Sequence, residues 1–216
     1  MFVAEIWRYP VKSMGGERLD RVRVGPDGID GDRTIHVETG QGRLATARKY
    51  PQLLRHRAVA STGGPVVDGL PWAHPDIAAA IEEDVGPGAL LVPDESLRRF
   101  DVLPLLVATD GAIAEFGYGG RRLRPNLVVG GVPGLEERKW PGKHLRIGDA
   151  VIALVDLRAR CVMTTFDPDT IEQDPGVLKD IVRRFDGTLA LNANVLRSGW
   201  IREGQTVDLF EATASG

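Results

Sequence analysis

The stretch Val151-Ile152-Ala153-Leu154-Val155-Asp156-Leu157-Arg158-Ala159-Arg160-Cys161 decides how this chain is read. Small or apolar side chains recur at every second position. Val151, Ala153, Val155, Leu157, Ala159 and Cys161 therefore share one face of an extended strand, with Asp156, Arg158 and Arg160 on the other. Just before it, Leu145-Arg146-Ile147-Gly148-Asp149-Ala150-Val151 carries an apolar-Arg-x-Gly-polar turn, and Ile201-Arg202-Glu203-Gly204-Gln205-Thr206-Val207 repeats it. The same turn chemistry used twice is what an antiparallel barrel needs to reverse its chain. A single pair falls far short of a solenoid array.

Working outward, short strands separated by turn residues dominate. Phe2 to Tyr9 is rich in β-branched and aromatic residues and is stopped by Pro10. Thr34–Val37 and Arg43–Thr46 flank a Gly-containing loop and read as a hairpin. Leu53 to Ala60 reads as a further strand, and Leu127-Val128-Val129 as another. Three helices are expected. One runs from Pro75 to Val85 and is stopped by Gly86-Pro87. A short one begins near Thr109-Asp110, with Asp110 as cap. The third runs from Pro175 to Phe185 with Asp174 as N-cap, and Val177, Leu178, Ile181, Val182 and Phe185 form its apolar face. The fold class expected is mainly β with a few helices (α+β). Pro- and Gly-rich punctuation at 61–75 and 86–93 suggests a seam, giving an N-terminal β unit over 1–93 packed against a second over 94–216.

Composition closes several doors. At 216 residues the chain can bury a core without staples. No apolar run approaches the ~20 residues of a membrane helix, and no secretory signal is visible at Met1-Phe2-Val3-Ala4-Glu5. The one cysteine, Cys161, excludes internal disulfides and a cysteine-ligated iron–sulfur cluster, which needs about four thiolates, so a reducing cytoplasm is the expected compartment. The net charge of −3 conceals an asymmetry: residues 1–60 carry +4 and the rest −7. That is too mild for a nucleic-acid footprint and suits a local site for a small anion.

Four groups carry candidate chemistry. Cys161 is either a small core thiol or, beside Arg158 and Arg160 and followed by the polar exit Val162-Met163-Thr164-Thr165-Phe166-Asp167-Pro168, a thiolate delivered to a rim as nucleophile or soft-metal ligand. The four histidines show no zinc-type spacing with it. Tyr9-Pro10-Val11-Lys12-Ser13-Met14-Gly15-Gly16 offers an ammonium and a hydroxyl side by side, a phosphate-friendly pair, with glycines that permit close backbone approach or a tight turn. The plain alternative is a surface turn with a solvated lysine. Arg33 and Arg48, in and beside the proposed hairpin, make an oxyanion clamp with Lys12, unless Asp32–Arg33 is merely an exposed ion pair. Arg124-Pro125-Asn126 adds guanidinium donors and an amide at a strand entrance.

Taken in order, Tyr9-Pro10-Val11-Lys12-Ser13-Met14-Gly15, Gly31-Asp32-Arg33 with Thr46-Ala47-Arg48, Leu123-Arg124-Pro125-Asn126, and Arg160-Cys161-Val162-Met163-Thr164-Thr165-Phe166-Asp167-Pro168-Asp169-Thr170 resemble the MOSC family, named for the C-terminal domain of molybdenum cofactor sulfurase. The likeness is to the branch of the mitochondrial amidoxime-reducing component and its bacterial relatives, and spans about residues 2–210. It implies a MOSC-type β-barrel with an N-terminal β subdomain and a molybdenum cofactor (Mo-pterin) between them. Cys161 would be the protein thiolate on molybdenum. Lys12, Ser13, Arg33 and Arg48 would hold the pterin phosphate, and Arg124 and Asn126 would contact the pterin or the metal's oxygens. Met14 stands where close relatives often carry a second cysteine, and Ala112 where they carry a serine, which leaves Thr109 and Asp110 as polar candidates and Asp110 as proton relay. The implied activity is reduction of N-hydroxylated small molecules with electrons from a separate reductase, without nucleic acid or membrane partners. The alternative is a carrier of the cofactor, or of sulfur as a persulfide on Cys161, without turnover.

Overall fold

The computed structural model describes residues 1–94, 96 and 99–212. The architecture is mainly β, with three α-helices among the described residues, as expected. Its largest element is a curled eight-stranded sheet in the order Asp208–Glu211, Lys143–Ile147, Ala150–Ala159, Thr188–Arg197, Leu105–Thr109, Leu127–Gly130, Phe2–Arg8, Glu17–Arg18. Every neighbouring pair is antiparallel except Leu105–Thr109 with Leu127–Gly130. Between those two the chain forms the helix Asp110–Phe116, since a parallel return needs a crossover. Three-stranded sheets complete the fold, and one joins Gly199–Arg202 to Arg21–Gly25. Segments from both ends of the chain thus share ladders.

The interior of the large sheet is aliphatic, built on Val3, Ile6, Leu127, Leu145, Ile152, Leu154 and Leu191. A second core under the N-terminal strands gathers Val11, Met14, Ile35, Leu53 and Ile81. A third seals the helices Asp110–Phe116 and Pro175–Phe185 through Phe116, Val177, Ile181 and Phe185. The two repeated turns meet: Gly148 and Gly204 both take positive φ, and a Cβ on Gly148 would strike the side chain of Gln205.

Several expectations need correction. Leu53 to Ala60 is not one strand. Pro51, without an amide hydrogen, opens a 3-10 turn over Pro51–Arg55 that buries the adjacent Leu53 and Leu54 together, which an alternating strand cannot do; only Ala58–Val59 pairs afterwards. The helix Pro175–Phe185 has the expected bounds and Asp174 cap, but Val182 is exposed, so its buried stripe is Val177, Ile181 and Phe185. The cap of the helix Asp110–Phe116 is Thr109, whose hydroxyl accepts the Ala112 amide at 3.2 Å.

The most consequential departure lies in the strand Ala150–Ala159. Ala150, Ile152 and Leu154 face the core, while Val155 is exposed. The ladder with Thr188–Arg197 slips at three places, after Val151, Leu154 and Leu157. The slip between Leu154 and Asp156 leaves Val155 as the extra residue on this strand, and the other two place the extra residue on the partner strand. The two-fold alternation is interrupted at Val155, and Asp156 through Cys161 all line one hollow.

Candidate functional site

That hollow has a volume of about 390 Å³. The structure brings Cys161, Lys12, Ser13, Arg33, Arg48, Arg124 and Asn126 to its wall, from segments more than a hundred residues apart. Among the described residues its charged lining comprises seven cations, Lys12, Arg33, Arg48, Arg122, Arg124, Arg158 and Arg160, against the carboxylates of Asp101 and Asp156. So strong a surplus of positive charge in a recess focuses the field on an anion.

Pro10 ends the strand Phe2–Arg8 and hands the chain to Lys12 and Ser13, both buried. Lys12 is no solvated surface residue. Its ammonium donates to the Arg99 carbonyl at 2.8 Å and pairs with Asp101 at 2.9 Å. Asp101 also meets Arg48 at 2.8 Å and Arg158 at 3.5 Å. Burial pushes the Asp101 carboxyl up, but these cations outweigh it and hold it below the ordinary carboxylate range. Gly16 serves close packing rather than a ligand: a Cβ there would lie 2.3 Å from the Arg8 carbonyl and 2.6 Å from the Tyr9 ring.

Behind this wall stands a buried network around Asp32, which is completely inaccessible. Its carboxylate accepts the Tyr9 amide at 2.7 Å and the Asn126 side-chain amide at 3.2 Å, and pairs with Arg33. The Asp32–Arg33 pair is thus interior and not an exposed hairpin feature. The Asn126 amide also donates to the Trp7 carbonyl and accepts from the Leu106 amide at 3.2 Å, so its capacity is spent within the protein. Asn126 orients the wall. Arg33 and Arg124 both stack on the Tyr9 ring, at 5.1 and 4.2 Å from its centroid. Ser13, Arg33 and Arg124 all hold positive φ (71°, 53° and 56°), a conformation costing roughly 1–2 kcal/mol for a residue with a side chain. Strain gathered at one cavity is typical of a functional site.

Burial moves these groups. It pulls the Arg124 and Arg160 guanidinium groups down to about 10, still charged at neutral pH. It pushes the Tyr9 phenol up to about 12, although Arg124 and Arg33 pull the other way. The folded state therefore keeps the Tyr9 proton longer than the unfolded chain does. The stabilisation is fully present below pH 10 and is lost as pH rises toward about 12. Ultraviolet difference titration should show one phenol ionising near pH 12 that disappears in Tyr9→Phe; ionisation at the ordinary value would contradict this environment.

Cys161 follows the strand Ala150–Ala159 and caps the 3-10 turn Val162–Thr165. It is partly exposed at the cavity wall and not a core thiol. Arg158 and Arg160 lie close enough to interact with it electrostatically. Arg160 donates to the Leu123 carbonyl at 2.7 Å, and its buried Nε has no partner among the described residues. Among the described residues no group of three or more His, Cys, Asp or Glu side chains is placed to hold a metal ion. The cavity offers one thiol and a set of cations.

Asp110 is the site residue that the structure does not bring here. Its carboxylate accepts the backbone amides of Gly111, Gly131 and Val132 at 2.8, 2.7 and 3.0 Å, locking the helix start to the loop after Leu127–Gly130. There it clamps the helix start, outside the lining of the recess. Asp110→Ala should cost about 1–2 kcal/mol in urea unfolding and leave anion binding in the cavity unchanged. Sequence reasoning missed Asp101, Arg122 and Asn192. Arg122 ties the wall to the segment after Cys161 through the Thr165 carbonyl and Asp167, both near 3 Å. Asn192 bridges Asp156 and Arg158. None has a local pattern; the basic pair Arg121-Arg122 ahead of Arg124 was the one available hint.

Comparison with known proteins gives a consistent picture. Residues 1–78 match the MOSC N-terminal beta barrel domain, and residues 112–208 match the MOSC domain. The chain is 36% identical over 76 residues to mitochondrial amidoxime reducing component 2 of Homo sapiens, and 30% identical over 87 residues to mitochondrial amidoxime-reducing component 1 of the same species. These stretches cover 32% and 38% of this chain but only 22% and 25% of those relatives. Among solved structures, the YUAD protein of Bacillus subtilis is similar in fold, with a TM-score of 0.55 at 14% identity over 98% of this chain and 96% of that one.

Proposed function

This chain belongs to the MOSC domain family, and from that premise we propose that it is a molybdenum-cofactor-dependent oxidoreductase that reduces N-hydroxylated small molecules with electrons from a separate reductase. The observation carrying this reading is the meeting of one accessible thiol with seven cations in a single recess. The residues fit such a group. A phosphate needs the cationic lining, and a single protein thiol suits a metal that arrives with its own dithiolene ligands. When bound, the cofactor supplies two-electron chemistry: the N–O bond is cleaved and, with two protons, the oxygen leaves as water.

The chain's own residues bind and orient. Cys161 provides the protein sulfur. Lys12, Ser13, Arg33 and Arg48 receive the phosphate. Arg124 lines the pterin side, its guanidinium fixed by the Met14 carbonyl at 2.7 Å and by Tyr9. Asn126 holds Arg33 and Asp32 in place. We place the division between the two β units near residue 93, so that residues from both units form the recess. No helix among the described residues is long and apolar enough to cross a membrane.

The reading is tested by making the protein in a cofactor-competent host, measuring molybdenum and pterin, and assaying hydroxylamine reduction with a chemical electron donor. Metal with turnover is the expected result. Metal without turnover would favour a carrier of the cofactor, and absence of both would overturn the proposal.

A further inference from the structure

We infer that Asp101 is a resident counter-anion that sets which anions the cavity accepts: its carboxylate occupies the cations that a ligand's phosphate would engage, and weakly binding anions cannot displace it. The inference rests on reading the recess as an anion site and adds a selectivity element to it. Asp101 lies within 2.9 Å of Lys12, 2.8 Å of Arg48 and 3.5 Å of Arg158, so one carboxylate touches three of the seven cations.

Two explanations of that geometry make opposite predictions. If Asp101 positions the cations, its removal weakens anion binding. If it competes with the ligand, its removal strengthens binding. The independent anchors decide between them. Lys12 is also held by the Arg99 carbonyl, and Arg158 by the Asn192 side chain, so both keep their places without Asp101. An ammonium has three donors and a guanidinium five, leaving hydrogens for a ligand. What Asp101 contributes to Lys12 and Arg158 beyond geometry is therefore negative charge, placed among cations that an anion would engage. Its side chain is partly exposed, on the irregular stretch before the strand Leu105–Thr109, and so has room to give way.

Selectivity follows. A small inorganic anion gains only the three cations near Asp101 and must overcome the carboxylate. A larger ligand also reaches Arg33, Arg124 and Cys161, and those added contacts offset the cost of displacing or repelling Asp101. Without any ligand, the carboxylate relieves repulsion among the clustered cations.

The test uses the full-length chain purified without cofactor, titrated calorimetrically with inorganic phosphate and with pyrophosphate at fixed ionic strength. Asp101→Asn should bind phosphate on the order of tenfold more tightly than the wild type, the size expected for removing one like charge at a partly solvated site. Phosphate should also raise the melting temperature of Asp101→Asn more than that of the wild type. If the wild type binds these anions and Asp101→Asn binds them equally or less well, the counter-anion role is overturned while the anion-site reading stands. If neither protein binds either anion, both fail. Should Asp101→Asn not fold in chloride, recovery of folding in phosphate supports the inference, and failure in both overturns it.

Discussion

Cys161→Ser should lose its molybdenum and reduce hydroxylamine no faster than background, while unfolding in urea within about 0.5 kcal/mol of the wild type. The structural reason for separating the two effects is specific. The backbone at Cys161 is held through its carbonyl, which accepts the Thr164 amide at 3.0 Å and the Thr164 hydroxyl at 2.9 Å. The side chain is partly exposed and outside all three apolar clusters. Replacing sulfur by oxygen therefore removes little packing. It does replace a soft, polarisable sulfur by a hard hydroxyl oxygen, a poor ligand for a soft metal site. Inductively coupled plasma measurement of the metal, alongside the urea curve, reads both quantities. A serine variant that keeps metal and turnover would remove the thiol from the mechanism, whatever the fate of the anion site.

Asp32→Ala should be the most destabilising single change in the site, by about 3–5 kcal/mol. That is a large share of the 5–15 kcal/mol that separates a typical folded domain from its unfolded chain. The carboxylate is wholly buried and satisfies three groups at once: the Tyr9 amide, the Asn126 side chain and Arg33. Alanine leaves a buried amide and a mostly buried guanidinium without their acceptor, and removing one partner of a buried pair costs far more than the pair itself contributes. The double variant Asp32→Ala with Arg33→Met should recover part of the loss in urea unfolding, since the uncompensated charge is gone. Full additivity of the two changes would show that the pair is not coupled. Loss of Asp32 should also weaken phosphate binding, because Arg33 then keeps only the Tyr9 ring and a long contact to Asn126 to hold it at the wall.

Much of this was visible in the chain itself, and particular residues show why. The helices Pro75–Val85 and Pro175–Phe185 appear with the expected bounds because proline at the start, an aspartate or glycine at an end and a 3.6-residue stripe all act locally. The hairpin joining Ile35–Glu38 to Leu44–Ala45 is local in the same sense. Seven of the candidate residues came together because each sits in a short motif whose turn or strand end exposes it. The failures are equally physical. Leu53–Leu54 is an apolar pair compatible with strand or helix until Pro51 and the core choose. Asp110 looks like a free acid near a strand end until the loop at Gly131 and Val132 folds over it.

What the sequence alone determined is the β-rich class, the local punctuation and the list of residue types from which a cationic, thiol-bearing site is made, since these depend on neighbours a few positions apart. Only the tertiary structure decided the face on which those residues meet. Three register slips between Ala150–Ala159 and Thr188–Arg197 bring Asp156 through Cys161 to the recess that Lys12, Arg33 and Arg124 also line. A bulge is set by the partner strand, and Asp101 becomes a counter-anion only where three distant cations converge on it. Both are properties of contacts between remote parts of the chain, which no local pattern encodes.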